Sequence, residues 1–257
     1  MTNTKMVEKL RKGQPVFGTF VKVNEPRLIE CFGRAGFDYV ILDAEHGTYS
    51  FHQLEGLVRA ADGADLSTVI RVPDCTERSI LHALDVGAGG VQVPSLRDIA
   101  VARQGAPFSK YYPRGVRGMC LDQRSGDYGF NQPAEYFQYA NDNTLLIYQV
   151  ETREMVEQIE ELCKIDAVDV LFIGPGDLSQ AYGKPGQMNA PEVMEAIRHV
   201  CRVGLAHNKI VGTIAMDPAG LRQFLDMGML YLSVATDMTL INNALKGTVE
   251  SIRRHCQ

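Results

Sequence analysis

The chain predicts an α/β fold, a closed (β/α)8 barrel of the TIM type, and three observations carry that prediction. Short runs rich in Val, Ile and Leu alternate along the chain with longer segments of helical period. The short runs are nearly continuous in apolar character, which means both faces are covered, as in a parallel sheet. Eight such runs occur in 257 residues, and eight right-handed βαβ repeats in about 250 residues is the count that closes a barrel. An open doubly wound sheet is the competitor. It fits less well, because no Gly-x-Gly-x-x-Gly follows the first strand.

Taken in order, residues 16–21 (VFGTFV) read as the first strand and 27–35 as its helix. The second strand, 39–42 (YVIL), runs straight into "DAEHG" before a helical pattern at 51–61. The third, 68–72 (TVIRV), interrupts its apolar run with Arg71 and precedes a helix at 78–86. The fourth is 90–93 (GVQV). Residues 107–133, with "YYPRGVRGMCLDQRSGDYGFNQP", show no clear period. Structureless stretches longer than ~15 residues are uncommon in compact domains and commonly act as lids or contact loops, a surface excursion being the bland alternative. The rhythm resumes with strands at 145–150, 170–173, 210–213 and 231–234 and helical patterns at 153–164, 191–207 and 218–227. A closing helix over 239–254 ends in a basic turn. No internal repeat or linker divides the chain, so residues 1–257 read as one barrel domain with an additional C-terminal helix and tail.

Composition narrows the function. Apolar residues at 45% and charged residues at 22% are ordinary for a globular protein. A net charge of −5 leaves no basic footprint for nucleic acid or an anionic membrane. The polar N-terminus lacks a secretory apolar region, and no apolar run approaches the ~20 residues of a membrane span. Six scattered cysteines without a Cys-x-x-Cys pair read as reduced thiols of a cytoplasmic protein. The partners expected are therefore small molecules, with neither nucleic acid nor membrane.

In such a barrel the C-terminal ends of the strands gather at one mouth, where the chemistry sits. Reading those ends gives Asp43, Glu45 and His46, then Arg71, then Gln149 and Glu151, then Asp177, and finally Thr213 and Asp237. Glu151 and Asp177 follow neighbouring strands and can converge. Two close carboxylates repel unless a proton or cation lies between them. They are either a pair of solvated acids or the ligands of a hard divalent cation, Mg2+ or Mn2+ with Co2+ a further candidate, whose shell water and substrate complete. His46 could be a third ligand, but hard cations prefer oxygen, so general base suits it better. Arg71 needs an anion, because an unpaired buried guanidinium is costly; the anion is either a substrate or Asp43 or Glu45 across the mouth. The Gly-rich turn "IGPGDLSQ" offers backbone amides to a carboxylate or phosphate. Of nine lysines only Lys22 lies near a strand's C-terminal end, which disfavours a Schiff-base enzyme.

Six motifs, "ILDAEHG", "VIRVP", "LDVGAGGVQVP", "YYPRGVRG", "YQVET" and "FIGPGDLS", occur in one order that resembles the HpcH/HpaI family. These are class II pyruvate aldolases such as 4-hydroxy-2-oxoheptanedioate and 2-dehydro-3-deoxyglucarate aldolases, with citrate lyase β-type proteins as more distant relatives. The resemblance runs from residue 18 to residue 239. It implies a metal held by Glu151 and Asp177, His46 as base, and Arg71 as the positive charge on the enolate oxygen. It further implies that Asp85 raises the basicity of the histidine, and that Gln149 and the backbone at Gly176 and Asp177 hold the pyruvate unit. Ile214 falls where the family has an apolar residue beside the reacting carbon. The activity implied is metal-dependent cleavage of a 4-hydroxy-2-oxo acid to pyruvate and an aldehyde. A citrate-lyase-like reaction on an acyl-CoA ester and a non-catalytic barrel that binds metal and carboxylate are the competing readings. The family also suggests a homohexamer, a trimer of dimers exchanging the C-terminal helix. Two departures stand out: Gly176 where Ala is common keeps the carbonyl and amide contacts while loosening the turn, and Tyr112 where Pro is common alters the loop at the mouth and leaves the acceptor aldehyde open.

Overall fold

A computed structural model describes residues 3–256. Eight parallel strands, β1 (Val16–Val21), β2 (Tyr39–Asp43), β3 (Ser67–Arg71), β4 (Gly90–Val93), β5 (Leu145–Val150), β6 (Val170–Ile173), β7 (Ile210–Ala215) and β8 (Tyr231–Thr236), pair in sequence order and close on themselves. The predicted barrel is therefore present. The closing pair, β1 with β8, shifts register between Gly18 and Phe20.

Every strand position must fill either the barrel's interior or the layer beneath the helices, which is why the strands read as continuous apolar runs. Phe20, Tyr39, Ile41, Val69, Ile147, Phe172 and Tyr231 fill the interior. Tyr39 and Tyr231 stack at 4.4 Å, and the Tyr39 hydroxyl meets Ser233 Oγ at 3.0 Å. Gly18 makes room for this stack, since a Cβ there would lie 2.4 Å from the Tyr39 ring.

Around the strands run α2 (Pro26–Ala35), α3 (Phe51–Gly63), α4 (Glu77–Asp85), α5 (Ile99–Gly105), α6 (Pro133–Asn143), α7 (Arg153–Glu157), α8 (Ile159–Cys163), α9 (Pro175–Ala181), α10 (Pro191–Ala206), α11 (Pro218–Asp226) and α12 (Asp237–His255). The pattern predicted as one helix over 153–164 divides at Gln158, whose ψ of 18° leaves the helical range. A short N-terminal helix, α1 (Lys5–Arg11), was not predicted; Met6, Val7 and Leu10 use it to cap the bottom of the inner core. The aperiodic stretch contains two short 3-10 turns, at 106–109 and 124–129, rather than a regular element. It is tied down by Lys110, whose buried ammonium donates to the carbonyls of Thr144 at 2.6 Å and Asn141 at 3.4 Å and meets Asp169 at 3.2 Å. Among the described residues no helix is long and apolar enough to cross a membrane.

Candidate active site

The answer to why β2 runs into three ionisable residues lies at the mouth. Asp43 ends β2 directly beside Arg71, which ends β3 in register with it. Arg71 Nε and Nη2 donate to the two Asp43 oxygens at 2.9 and 2.7 Å, and Nη1 lies 2.8 Å from Glu45 Oε2. Asp43 also accepts from the backbone N–H groups of Glu45 and His46, each at 3.2 Å. Burial would push the Asp43 carboxyl up, but the Arg71 hydrogen bonds and charge outweigh it and hold it below the ordinary value. Glu45 goes the other way, because burial raises it more than Arg71 lowers it. Arg71 thus meets anions from its own chain, and its aliphatic stem leaves the guanidinium 4.9 Å over the Phe20 ring.

Across the mouth, Glu151 follows β5 and is buried. Its Oε1 accepts from the Ser95 N–H at 2.6 Å and its Oε2 from the Gln149 amide at 2.5 Å. Gln149 in turn accepts from Gln92 Nε2 at 2.8 Å, so two buried amides brace the carboxylate from below. Asp177 sits in the first turn of α9, close enough that its charge, after burial, helps raise the Glu151 pKa. Among the described residues no Lys or Arg pairs with either acid, and no group of three or more His, Cys, Asp or Glu gathers as a metal cage. Two carboxylates without a basic partner are a donor set that fits a hard divalent cation keeping water or substrate in its other positions. Gly174 completes the cradle, since a Cβ there would stand 2.6 Å from Glu151 Oε2.

One cavity of about 190 Å³ collects Arg71, Gln149, Glu151, Gly176, Asp177 and Ile214. His46 is on the rim. Its imidazole is mostly exposed and Nε2 lies 3.8 Å from Glu45 Oε2, so it reaches the cavity's charges through Glu45. Asp85 ends α4, where it takes Arg117 Nη2 at 2.8 Å; the partner it holds in this chain is a guanidinium from the long loop. Sequence reasoning missed Gln92, Ser95, Met188 and Met216. Gln92 carried a usable signal, a lone amide inside the apolar run "GVQV". Ser95, just past the end of β4, is found only once the barrel is closed.

A closed (β/α)8 barrel whose mouth sets two acids without a basic partner against a caged guanidinium is a site able to stabilise and move charge, and the relatives of its sequence make the chain a carbon–carbon lyase. It belongs to the HpcH/HpaI aldolase/citrate lyase family, whose sequence pattern matches residues 16–244. The 5-keto-4-deoxy-D-glucarate aldolase of Enterobacter sp. (strain 638) is 30% identical to it, over 92% of each chain. The HpcH/HpaI aldolase of Desulfitobacterium hafniense DCB-2 superposes with a TM-score of 0.91 at 29% identity, covering 96% of both chains. The citrate synthase SbnG superposes with a TM-score of 0.88 at 26% identity, over 96% of this chain and 97% of that one.

Proposed function

We propose that the protein is a divalent-metal-dependent aldolase that cleaves a 4-hydroxy-2-oxo acid, reversibly, to pyruvate and an aldehyde. The observation that carries this reading is the pair Glu151 and Asp177, set without a basic partner on the wall of the cavity that Arg71 and Gln149 also line. These two carboxylates would hold Mg2+ or Mn2+, which when bound supplies Lewis-acid stabilisation of charge growing on the 2-oxo oxygen. Arg71 adds a preorganised positive charge to the same oxygen, from a buried position where it needs no reorganisation. His46, oriented by Glu45 on the rim, takes the proton of the 4-hydroxyl, and the C3–C4 electron pair then moves into the pyruvate enolate. The backbone at Gly176 and Asp177, with Gln149, positions the pyruvyl carboxylate, while Ile214 supplies the apolar wall beside the reacting carbon.

The test is pyruvate release, coupled to lactate dehydrogenase, from a panel of 4-hydroxy-2-oxo acids with Mg2+ or Mn2+ added and then chelated. Metal-dependent release supports the reading. Release that survives chelation removes the metal from it, and no release from any member ends it. The likeness to the citrate synthase SbnG favours one further reading, carbon–carbon chemistry of the citrate-lyase type on an acyl-CoA ester; turnover of thioesters in preference to free acids would establish that instead. The assembly we propose is a cytoplasmic hexamer. The exposed apolar residues Leu245, Val249 and Ile252 along one side of α12 support burial of that helix against a second copy, and light scattering at monomer mass would refute it.

A further inference from the structure

Glu151 and Asp177 are walls of two cavities, and they are the only residues that the two share. The larger, of about 190 Å³, is the mouth already described. The second, of about 120 Å³, lies beside it, between the loop that follows β4 (Ser95 and Arg97), the end of β5 (Glu151 and Thr152) and α9 (Asp177, Gln180 and Ala181). No apolar side chain larger than that of Ala181 lines it, whereas Phe20, Phe172, Met188, Ile214 and Met216 line the mouth. Ser95, Arg97 and Gln180 are exposed, so the side cavity reaches solvent without passing through the mouth.

Its walls are built rather than incidental. Thr152 Oγ1 donates to the Leu96 carbonyl at 2.7 Å and the Ser95 N–H to Glu151 at 2.6 Å, which ties the loop after β4 to the end of β5. Opposite, Asp177 and Gln180 stand three residues apart on α9 and therefore share a face of that helix. Arg97 has a side chain 72% exposed, and the acid it meets, Glu154, is 3.9 Å away, so its charge is largely uncommitted. A water needs only about 10–15 Å³ of cavity, so the passage admits a small ion with part of its hydration shell.

We propose that the side cavity is the exchange route of the divalent cation, a second door to the acid pair that stays open while a 2-oxo acid fills the mouth. This rests on the reading of Glu151 and Asp177 as metal ligands. A substrate seated in the mouth covers the ion from that side, and a site with one door would lock the ion beneath it. The side cavity leaves the pair in contact with solvent from another direction, where water can replace the protein's ligands stepwise. Mg2+ gives up its water reluctantly, so a wet passage suits it better than the more apolar mouth. Gln180 sets the width of this door. Arg97 sets its charge, and a guanidinium there slows an incoming cation.

The experiment follows Mn2+ release into excess chelator by stopped flow, with pyruvate as the probe that fills the mouth. With one exit the release rate falls toward zero as pyruvate saturates, whereas a second door leaves a plateau. The wild type is expected to slow and then level off at that plateau. Gln180→Phe, which fills the passage, is expected to remove it. Without pyruvate the same variant should lower Mn2+ association and dissociation by one common factor, leaving the equilibrium affinity unchanged, because a blocked route alters rates and not the site; a disturbance of the ligands themselves would move the affinity. Arg97→Ala is expected to speed association roughly 2- to 10-fold at low salt, an advantage lost at high salt. Wild-type release that falls to zero, a plateau that survives in Gln180→Phe, a changed affinity in that variant, or no gain in Arg97→Ala overturns the proposal and leaves the metal reading standing. Absence of Mn2+ binding to the wild type, or release that pyruvate does not touch, ends the reading on which the proposal rests and the proposal with it.

Discussion

Gly174→Ala tests the metal cradle with the smallest available change. At φ −95° and ψ 92° the backbone of Gly174 suits any residue, so the substitution adds bulk without backbone strain. The new Cβ would stand 2.6 Å from Glu151 Oε2 and 3.1 Å from Glu151 Cβ, where ordinary contact begins at 3.4 Å. The carboxylate oxygen must therefore retreat by about 0.8 Å (3.4 − 2.6). It cannot do so freely, because the Ser95 N–H holds one oxygen at 2.6 Å and the Gln149 amide the other at 2.5 Å. Either the side chain rotates away from those donors or the loop after β6 shifts. Metal ligands tolerate only about ±0.2 Å, and disturbing the groups that orient them typically weakens binding about 10- to 100-fold. The expected outcome is a loss of that size in Mn2+ affinity by calorimetry, with overpacking lowering stability by about 1–3 kcal/mol in thermal melts. Gly176→Ala is the matched control, since a Cβ there meets nothing within 4 Å, and its Mn2+ affinity should stay near wild type. Wild-type Mn2+ affinity in Gly174→Ala would refute the assignment of Glu151 as a ligand in the position it holds here.

Three more outcomes follow from the ion pairs. Arg71→Ala should lose most pyruvate release and also about 3–5 kcal/mol of stability, because it strands the buried Asp43 carboxylate; adding Asp43→Asn should restore stability in melts but not turnover, and an unchanged melting temperature in the single variant would contradict the pairing. His46→Ala should lower turnover about 10²- to 10⁴-fold while Mn2+ still binds, whereas a collapse of Mn2+ affinity would make His46 a ligand. The Asp43 pKa lies below its ordinary 3.8 in the folded state, so its contribution is fully present above pH 3.8 and is lost as pH falls through the folded value. Acid unfolding should accordingly be steeper for the wild type than for Asp43→Asn, and superimposable curves would show that Arg71 does not hold the proton off.

By itself the sequence determined the barrel, because eight strands buried on both faces cannot hide the apolar runs that cover them. It also determined which strand ends would be charged, since an ionisable residue after an apolar run has nowhere to go but the mouth. The helices α1 and α5 escaped notice because seven residues make only about two turns, too few to show a period, and α6 was missed directly after the aperiodic stretch. What the tertiary structure alone decided is how the charges pair. Arg71 could as well have awaited a substrate as met Asp43, and only the register of β2 with β3 sets the two side by side. The brace on Glu151 was invisible for the same reason: Gln92 and Ser95 are far in the chain from Gln149 and Glu151 and become their neighbours when β4 and β5 pair. Burial is written in composition and period, which are local; partnership depends on closure, which brings distant residues together.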